Sequence, residues 1–159
     1  MGIGVKASCL TLSFLLFGVS VLAGMFSVRA PAKAVSLEFG INVCGAGFGE
    51  ARLPGVHGRG YIYPDAATLR YFSGHGFCVQ RVPFRWERMQ PRLGAELDAE
   101  ELARLPAVVR VITTGGGKVV LDLHNFARYH GRVIGSEEVG VGDFADFWAR
   151  LARCFRQDD

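Results

Sequence analysis

Residues 118–124 read Lys-Val-Val-Leu-Asp-Leu-His, an apolar, β-branched run carrying one acid and closed by a histidine. Gly115, Gly116 and Gly117 stand directly before it and Asn125 follows, so the run is short, bounded and suited to a strand. Side chains alternate across a strand, so His124 and Asp122 share one face while Leu121 and Leu123 share the other. One face carries chemistry and the other faces a core.

Two further stretches have the same character, Leu37 to Val43 (LEFGINV) and Cys78 to Pro83 (CVQRVP). Between the three lie helical patterns. Ala66 to His75 follows the cap Asp65, and Ala99 to Thr114 follows Asp98, whose Glu101 three places on forms a capping box. Gly76 and Gly115 stop these helices. A last helix, Phe144 to Phe155, is expected behind Asp143, with Phe144, Phe147, Trp148, Leu151 and Phe155 on one face. Strands separated by helices of this length cannot form hairpins and pair in parallel through right-handed crossovers. The fold class is therefore α/β. In such sheets ligands sit beyond the carboxyl ends of the strands, where this sequence places Asn42, Arg81, His124 and Asn125. Alternation turns Arg81 to the same side as Asp122, and two readings stay open: part of a site, or a core ion pair between them.

The N-terminus has one lysine, Lys6, an apolar run from Leu10 to Phe26, and then Ala32-Lys33-Ala34. This layout predicts a signal peptide over residues 1–34, cut after Ala34 or after Ala30, leaving a domain over 35–159 in a secreted or periplasmic protein with no membrane attachment after cleavage. The alternative is a retained anchor, since the run approaches the roughly 20 residues needed to span a bilayer. Beyond it Cys44, Cys78 and Cys154 form an odd set, so one thiol at least stays free. Their spacing matches no zinc or haem pattern, and buried, apolar side chains are expected. The formal net charge of +3 is small and the charges are interspersed, which argues against a nucleic-acid partner. Gly45 to Gly49 lacks the spacing and the Gly-Lys-Ser/Thr ending of a phosphate-binding loop.

Five separated stretches, GINVCGAGFG (40–49), YIYPDAATLRYF (61–72), RVPFRWERMQP (81–91), LDLHNFARYHGRVIG (121–135) and FADFWARLA (144–152), together resemble glycoside hydrolase family 5, nearest its endo-β-1,4-glucanases. The resemblance implies a (β/α)₈ barrel, of which about three β/α units, the N-terminal half, fit here, since the barrel takes about 250 residues and the chain has 159. It implies hydrolysis of a β-glucan with retention, by an acid/base glutamate at the fourth strand and a nucleophilic glutamate at the seventh, both expected beyond Asp159. The chain alone is then expected to be inactive, with neither metal nor other cofactor. By resemblance, Arg81 is the strand-two arginine beside the nucleophile and His124 the strand-three histidine that binds sugar hydroxyls. Asn125, Tyr129 and Trp86 are the candidate substrate contacts, the two rings as sugar platforms. Mannan or another β-glucan as substrate, and a non-catalytic carbohydrate-binding remnant, are the alternatives.

Asp122, Glu50 and Glu87 are expected to be solvated or ion-paired rather than halves of a catalytic dyad. Three positions depart from expectation. Gly47 stands where the family has an acid, Gln80 faces the helix layer, and Pro106 falls mid-helix, where it should kink or restart the helix. The open edges of the first and third strands predict self-association.

Overall fold

The computed structural model describes residues 37–156. The expected signal peptide and both cleavage positions lie outside them. In chain order the elements are β1 (Phe39–Asn42), α1 (Ala66–Gly74), β2 (Phe77–Phe84), α2 (Trp86–Met89), α3 (Ala99–Thr114), β3 (Lys118–Leu123), β4 (Arg128–Tyr129), β5 (Arg132–Val133) and α4 (Val141–Arg153), with one 3-10 turn at Glu50–Arg52. The first three strands form a parallel sheet in the order β1-β2-β3, and β4 and β5 make a separate antiparallel ribbon. Three β/α units thus stand where the periodicity predicts them. Unforeseen were α2 and the ribbon, both too short to show a period.

Register fixes what the two sheet faces carry. Asn42 is opposite Arg81, Arg81 opposite Val120, and Pro83 opposite Asp122. Gln80, Val82 and Phe84 point the other way and are fully buried under the helices. Against them pack Leu69 of α1, Leu105, Val108 and Ile112 of α3, and Phe147 and Leu151 of α4. The spacing 101, 105, 108, 112 puts one continuous stripe of α3 into the core. A Cβ on Gly117 would lie 2.8 Å from Cγ2 of Ile112, so only glycine lets β3 start this close to α3. The core thins toward β3, where Val109, Val119, Leu121, Trp148 and Phe155 line an open apolar groove of about 390 Å³.

Several expectations need correction. The last helix begins at Val141, capped by Gly140, and Asp143 is inside it, its carboxylate accepting from the Gly140 amide at 2.8 Å. A carboxylate three residues into a helix can reach back to the cap as well as one at the cap can reach forward. Asp98 does cap α3, accepting from the amides of Glu100 and Glu101 at 3.0 Å each. Glu101 does not return the bond, because its buried carboxylate accepts from Tyr61 at 2.6 Å, Tyr63 at 2.8 Å and Arg104 at 2.9 Å. Helix α3 passes through Pro106 without a break. Gln80 is half satisfied: its amide nitrogen donates to the Leu69 carbonyl at 3.0 Å and to Ser73 Oγ at 2.9 Å, while its amide oxygen has no partner among the described residues. The three thiols are free, but Cys44 and Cys154 are exposed rather than buried.

The Tyr61–Glu101–Tyr63 cluster makes stability sensitive to alkali. Burial, reinforced by the neighbouring Glu101 carboxylate, raises both phenols above their ordinary value near 10. A group whose folded-state pKa is raised stabilises the fold fully below the unfolded value and loses that contribution as pH climbs toward the folded one. The melting temperature should therefore hold to about pH 9 and fall beyond about pH 10, with tyrosinate absorbance rising in step with loss of circular dichroism.

Candidate functional site

At the carboxyl ends of the strands the sheet converges on one guanidinium. Arg81 donates to Asn42 Oδ1 at 2.9 Å and pairs with Asp122 Oδ2 at 2.6 Å. The same carboxylate oxygen is 2.9 Å from Nδ1 of His124. An ionised carboxylate only accepts, so at 2.9 Å Nδ1 carries the proton and donates it in a hydrogen bond to Asp122, which leaves Nε2 as the acceptor nitrogen of the neutral ring. The Arg81 guanidinium lies farther from Nδ1, at 3.3 Å. Asp122 organises both: it fixes the arginine and chooses the tautomer of the histidine. All three remain accessible, with side-chain exposures of 36% for Arg81, 23% for Asp122 and 35% for His124. The ion pair between Arg81 and Asp122 is thus formed, but it lies open to solvent rather than in a core.

Beside this group lies an open depression of about 380 Å³, lined by Gly47, Glu50, Arg85 and His124 among others. Arg85 is buried, donates from Nε to the Gly47 carbonyl at 2.7 Å and pairs with Glu50. Its neighbour Arg88, also buried, holds the glycine-rich loop. The Arg88 guanidinium donates to the carbonyls of Pro54, Ala46 and Phe48 and lies 3.8 Å from the centroid of the Tyr61 ring. Burial lowers its pKa, the neighbouring Arg85 adds to that, and Tyr61, Glu101 and Tyr63 oppose it. Within the held loop, Gly49 has φ +73 and a Cβ there would sit 2.4 Å from the Gly60 carbonyl oxygen, so no other residue fits.

The family model for cellulase (glycosyl hydrolase family 5) matches residues 40–159. The chain belongs to glycosyl hydrolase family 5. It is 39% identical over 149 residues to a probable endo-β-1,4-glucanase B of Neosartorya fischeri, a match covering 90% of this chain and 44% of that protein. The crystal structure of an endo-β-1,4-glucanase from Xanthomonas axonopodis pv. citri superposes with a TM-score of 0.73 at 40% identity, over 77% of this chain and 39% of that one. The Pseudomonas stutzeri endoglucanase Cel5A, solved in complex with cellobiose, gives a TM-score of 0.72 at 37% identity, over 75% of this chain and 36% of that one. The chain spans less than half the length of these relatives, and its sheet and helices are a partial family 5 barrel.

Within the family 5 domain, three nominated contacts are placed differently from the expectation. Trp86 is fully buried, its ring 4.8 Å from Tyr129 and 5.2 Å from Phe147 between centroids, its indole N–H donating to Gln90 Oε1 at 2.9 Å. Tyr129 is buried against it and donates to the Gln90 carbonyl at 2.8 Å. Burial and the nearby Glu87 charge push the Tyr129 phenol up to about 12. Neither ring offers a face to a sugar. Asn125 is buried too: it accepts from the Trp86 amide at 2.8 Å and donates to Glu87 Oε2 at 2.8 Å and to the Arg128 carbonyl at 2.9 Å. Glu87, expected to be solvated or ion-paired, is instead buried, and its other oxygen accepts from the His130 amide at 2.8 Å. Together these residues latch the loop after β3 onto α2. Sequence reasoning missed the latch because nothing in the order of residues says that α2 forms and turns these groups inward. The pairing of Asp122 with Arg81, by contrast, was among the sequence expectations, since their parity with His124 is visible in the strand pattern.

Arg88→Lys tests the loop anchor. A lysine keeps the charge but cannot fork toward three carbonyls or lie flat on Tyr61, so stability should fall by about 2–4 kcal/mol, read from the urea midpoint at fixed protein concentration.

Proposed function

We propose that this chain serves an exported endo-β-1,4-glucanase, supplying the wall of the cleft that binds and positions the glucan, while the two catalytic carboxylic acids come from outside residues 37–156. The carrying observation is the Asn42–Arg81–Asp122–His124 group at the strand ends, polar, part exposed and internally fixed. Support for the substrate comes from relatives named endo-β-1,4-glucanase and from one solved with cellobiose. Support for export comes from Lys6 and the apolar run after it.

Retaining hydrolysis needs two carboxyl groups about 5–5.5 Å apart, one ionised to attack the anomeric carbon and one protonated to release the leaving oxygen. The carboxylates near this face are already committed: Asp122 to Arg81 and His124, Glu50 to Arg85, and Glu87 to the buried latch. What the group can do is prepare the site. A guanidinium beside an incoming carboxylate keeps it ionised and therefore nucleophilic, and His124 Nε2, with Nδ1 bound to Asp122, can accept from a sugar hydroxyl. Among the described residues the outer edges of β1 and β3 have no strand beside them, and in this proposal they drive self-association of the chain when it is alone.

Two measurements test the proposal. The purified chain should release no reducing sugar from carboxymethyl cellulose above the blank, and release would overturn the assignment of the two acids. A hybrid in which the remaining strands of the Xanthomonas enzyme are fused to this chain should hydrolyse the same substrate. In that hybrid Arg81→Lys should lower kcat by roughly 10²-fold or more, and an unchanged kcat would remove Arg81 from the site.

A further inference from the structure

Phe126 and Ala127 follow one another in the left-handed region, at φ 50 and φ 55, and His130 joins them at φ 45. None is glycine, and among other residues this region is tolerated best by asparagine and aspartate, so an aromatic side chain there is strained. Such strain persists only where the surroundings over-determine the backbone. Here they do: Asn125 is locked between Trp86 and Glu87, Glu87 holds the His130 amide, and the Ile134 amide donates to the Ala127 carbonyl at 2.9 Å. Of the two rings this backbone presents, His130 stands edge-on to the buried Tyr129 and Phe126 stands at the rim. Phe126 is 67% exposed, so burial of its side chain offsets little of the strain. Its ring stands edge-on to His124, with centroids 4.7 Å apart at 63°, and the Arg85 guanidinium lies 5.6 Å from its centroid. Arg85 is itself fixed by Gly47 and Glu50, so the ring is held from one side while most of it stays in water.

We propose that Phe126 is a sugar-stacking platform beside His124, its ring receiving the C–H face of a β-glucopyranosyl unit whose hydroxyls turn to His124 and to the Glu50–Arg85 pair. This rests on the β-1,4-glucan reading above. The chemistry follows from what each group offers: a phenyl ring has no hydrogen bond to give and prefers an apolar, weakly positive C–H surface, while the groups around it are donors and acceptors that hydroxyls can meet. A pyranose presents both kinds of surface on one ring. The strained backbone keeps the platform in place before the ligand arrives, which lowers the ordering cost of binding.

The test is titration of the full chain with cellopentaose by calorimetry. Phe126→Ala should weaken binding about ten-fold, equivalent to roughly 1.4 kcal/mol, and Phe126→Tyr should stay within about two-fold of the parent. Phe126→Gly should lose the same affinity as the alanine variant while its melting temperature holds or rises, because glycine relieves the left-handed strain. Parent-like affinity in Phe126→Ala overturns the platform and leaves the β-glucan reading standing. A parent chain that does not bind cellopentaose removes that reading and the platform with it. A fall of several degrees in the melting temperature of Phe126→Gly would assign the ring to folding and overturn the proposal.

Discussion

A buried guanidinium, that of Arg88, organises the mouth of this partial barrel. The loop between β1 and α1 is rich in glycine, and glycine loses more conformational freedom on folding than any other residue. Such a loop does not settle by its own preferences. Arg88 reaches it from α2 and gathers three of its carbonyls, so a flexible segment is tied to a rigid one by charge-assisted bonds. Among the described residues no carboxylate pairs with Arg88 directly. The charge is shared among carbonyl dipoles and the face of Tyr61, whose hydroxyl donates to Glu101 and through it meets Arg104. The loop, α2 and α3 are thereby joined in one polar chain that runs under the rim.

That chain explains which parts of the molecule could be read from its sequence. The three strands and the long helices were legible because each repeats a period over enough residues to be seen, and the parity of Arg81, Asp122 and His124 followed from the strand period alone. The latch was not legible. Trp86, Asn125 and Tyr129 are residue types that sugar sites favour, but Trp86 falls in a four-residue helix, Asn125 in the bend after β3 and Tyr129 in a tight ribbon, places decided by tertiary bonds rather than by local pattern. A ring with a polar tip can serve a site or be buried with its tip satisfied. Here each tip found a partner in Gln90, and the rings went inside. Glu101 shows the same limit: its spacing from Asp98 fits a capping box, yet two tyrosines distant in sequence claimed its carboxylate.

The rim and the sheet differ in how far they depend on the rest of a barrel. Every rim residue discussed is fixed by bonds made within residues 37–156: Arg81 by Asn42 and Asp122, His124 by Asp122, Arg85 by Gly47 and Glu50, and the loop after β3 by Glu87. The apolar layer is less self-sufficient. Val120 on β3 is 47% exposed and Phe39 on β1 68% exposed, and the groove between α3, β3 and α4 lies open. Hydrogen-bond networks are satisfied pair by pair, whereas burial of apolar surface needs neighbours on every side. Added strands at the edges of β1 and β3 would therefore contribute packing far more than they would reshape the rim. A partial family 5 barrel therefore keeps the local geometry of its rim groups, while its apolar layer gains most from further neighbours.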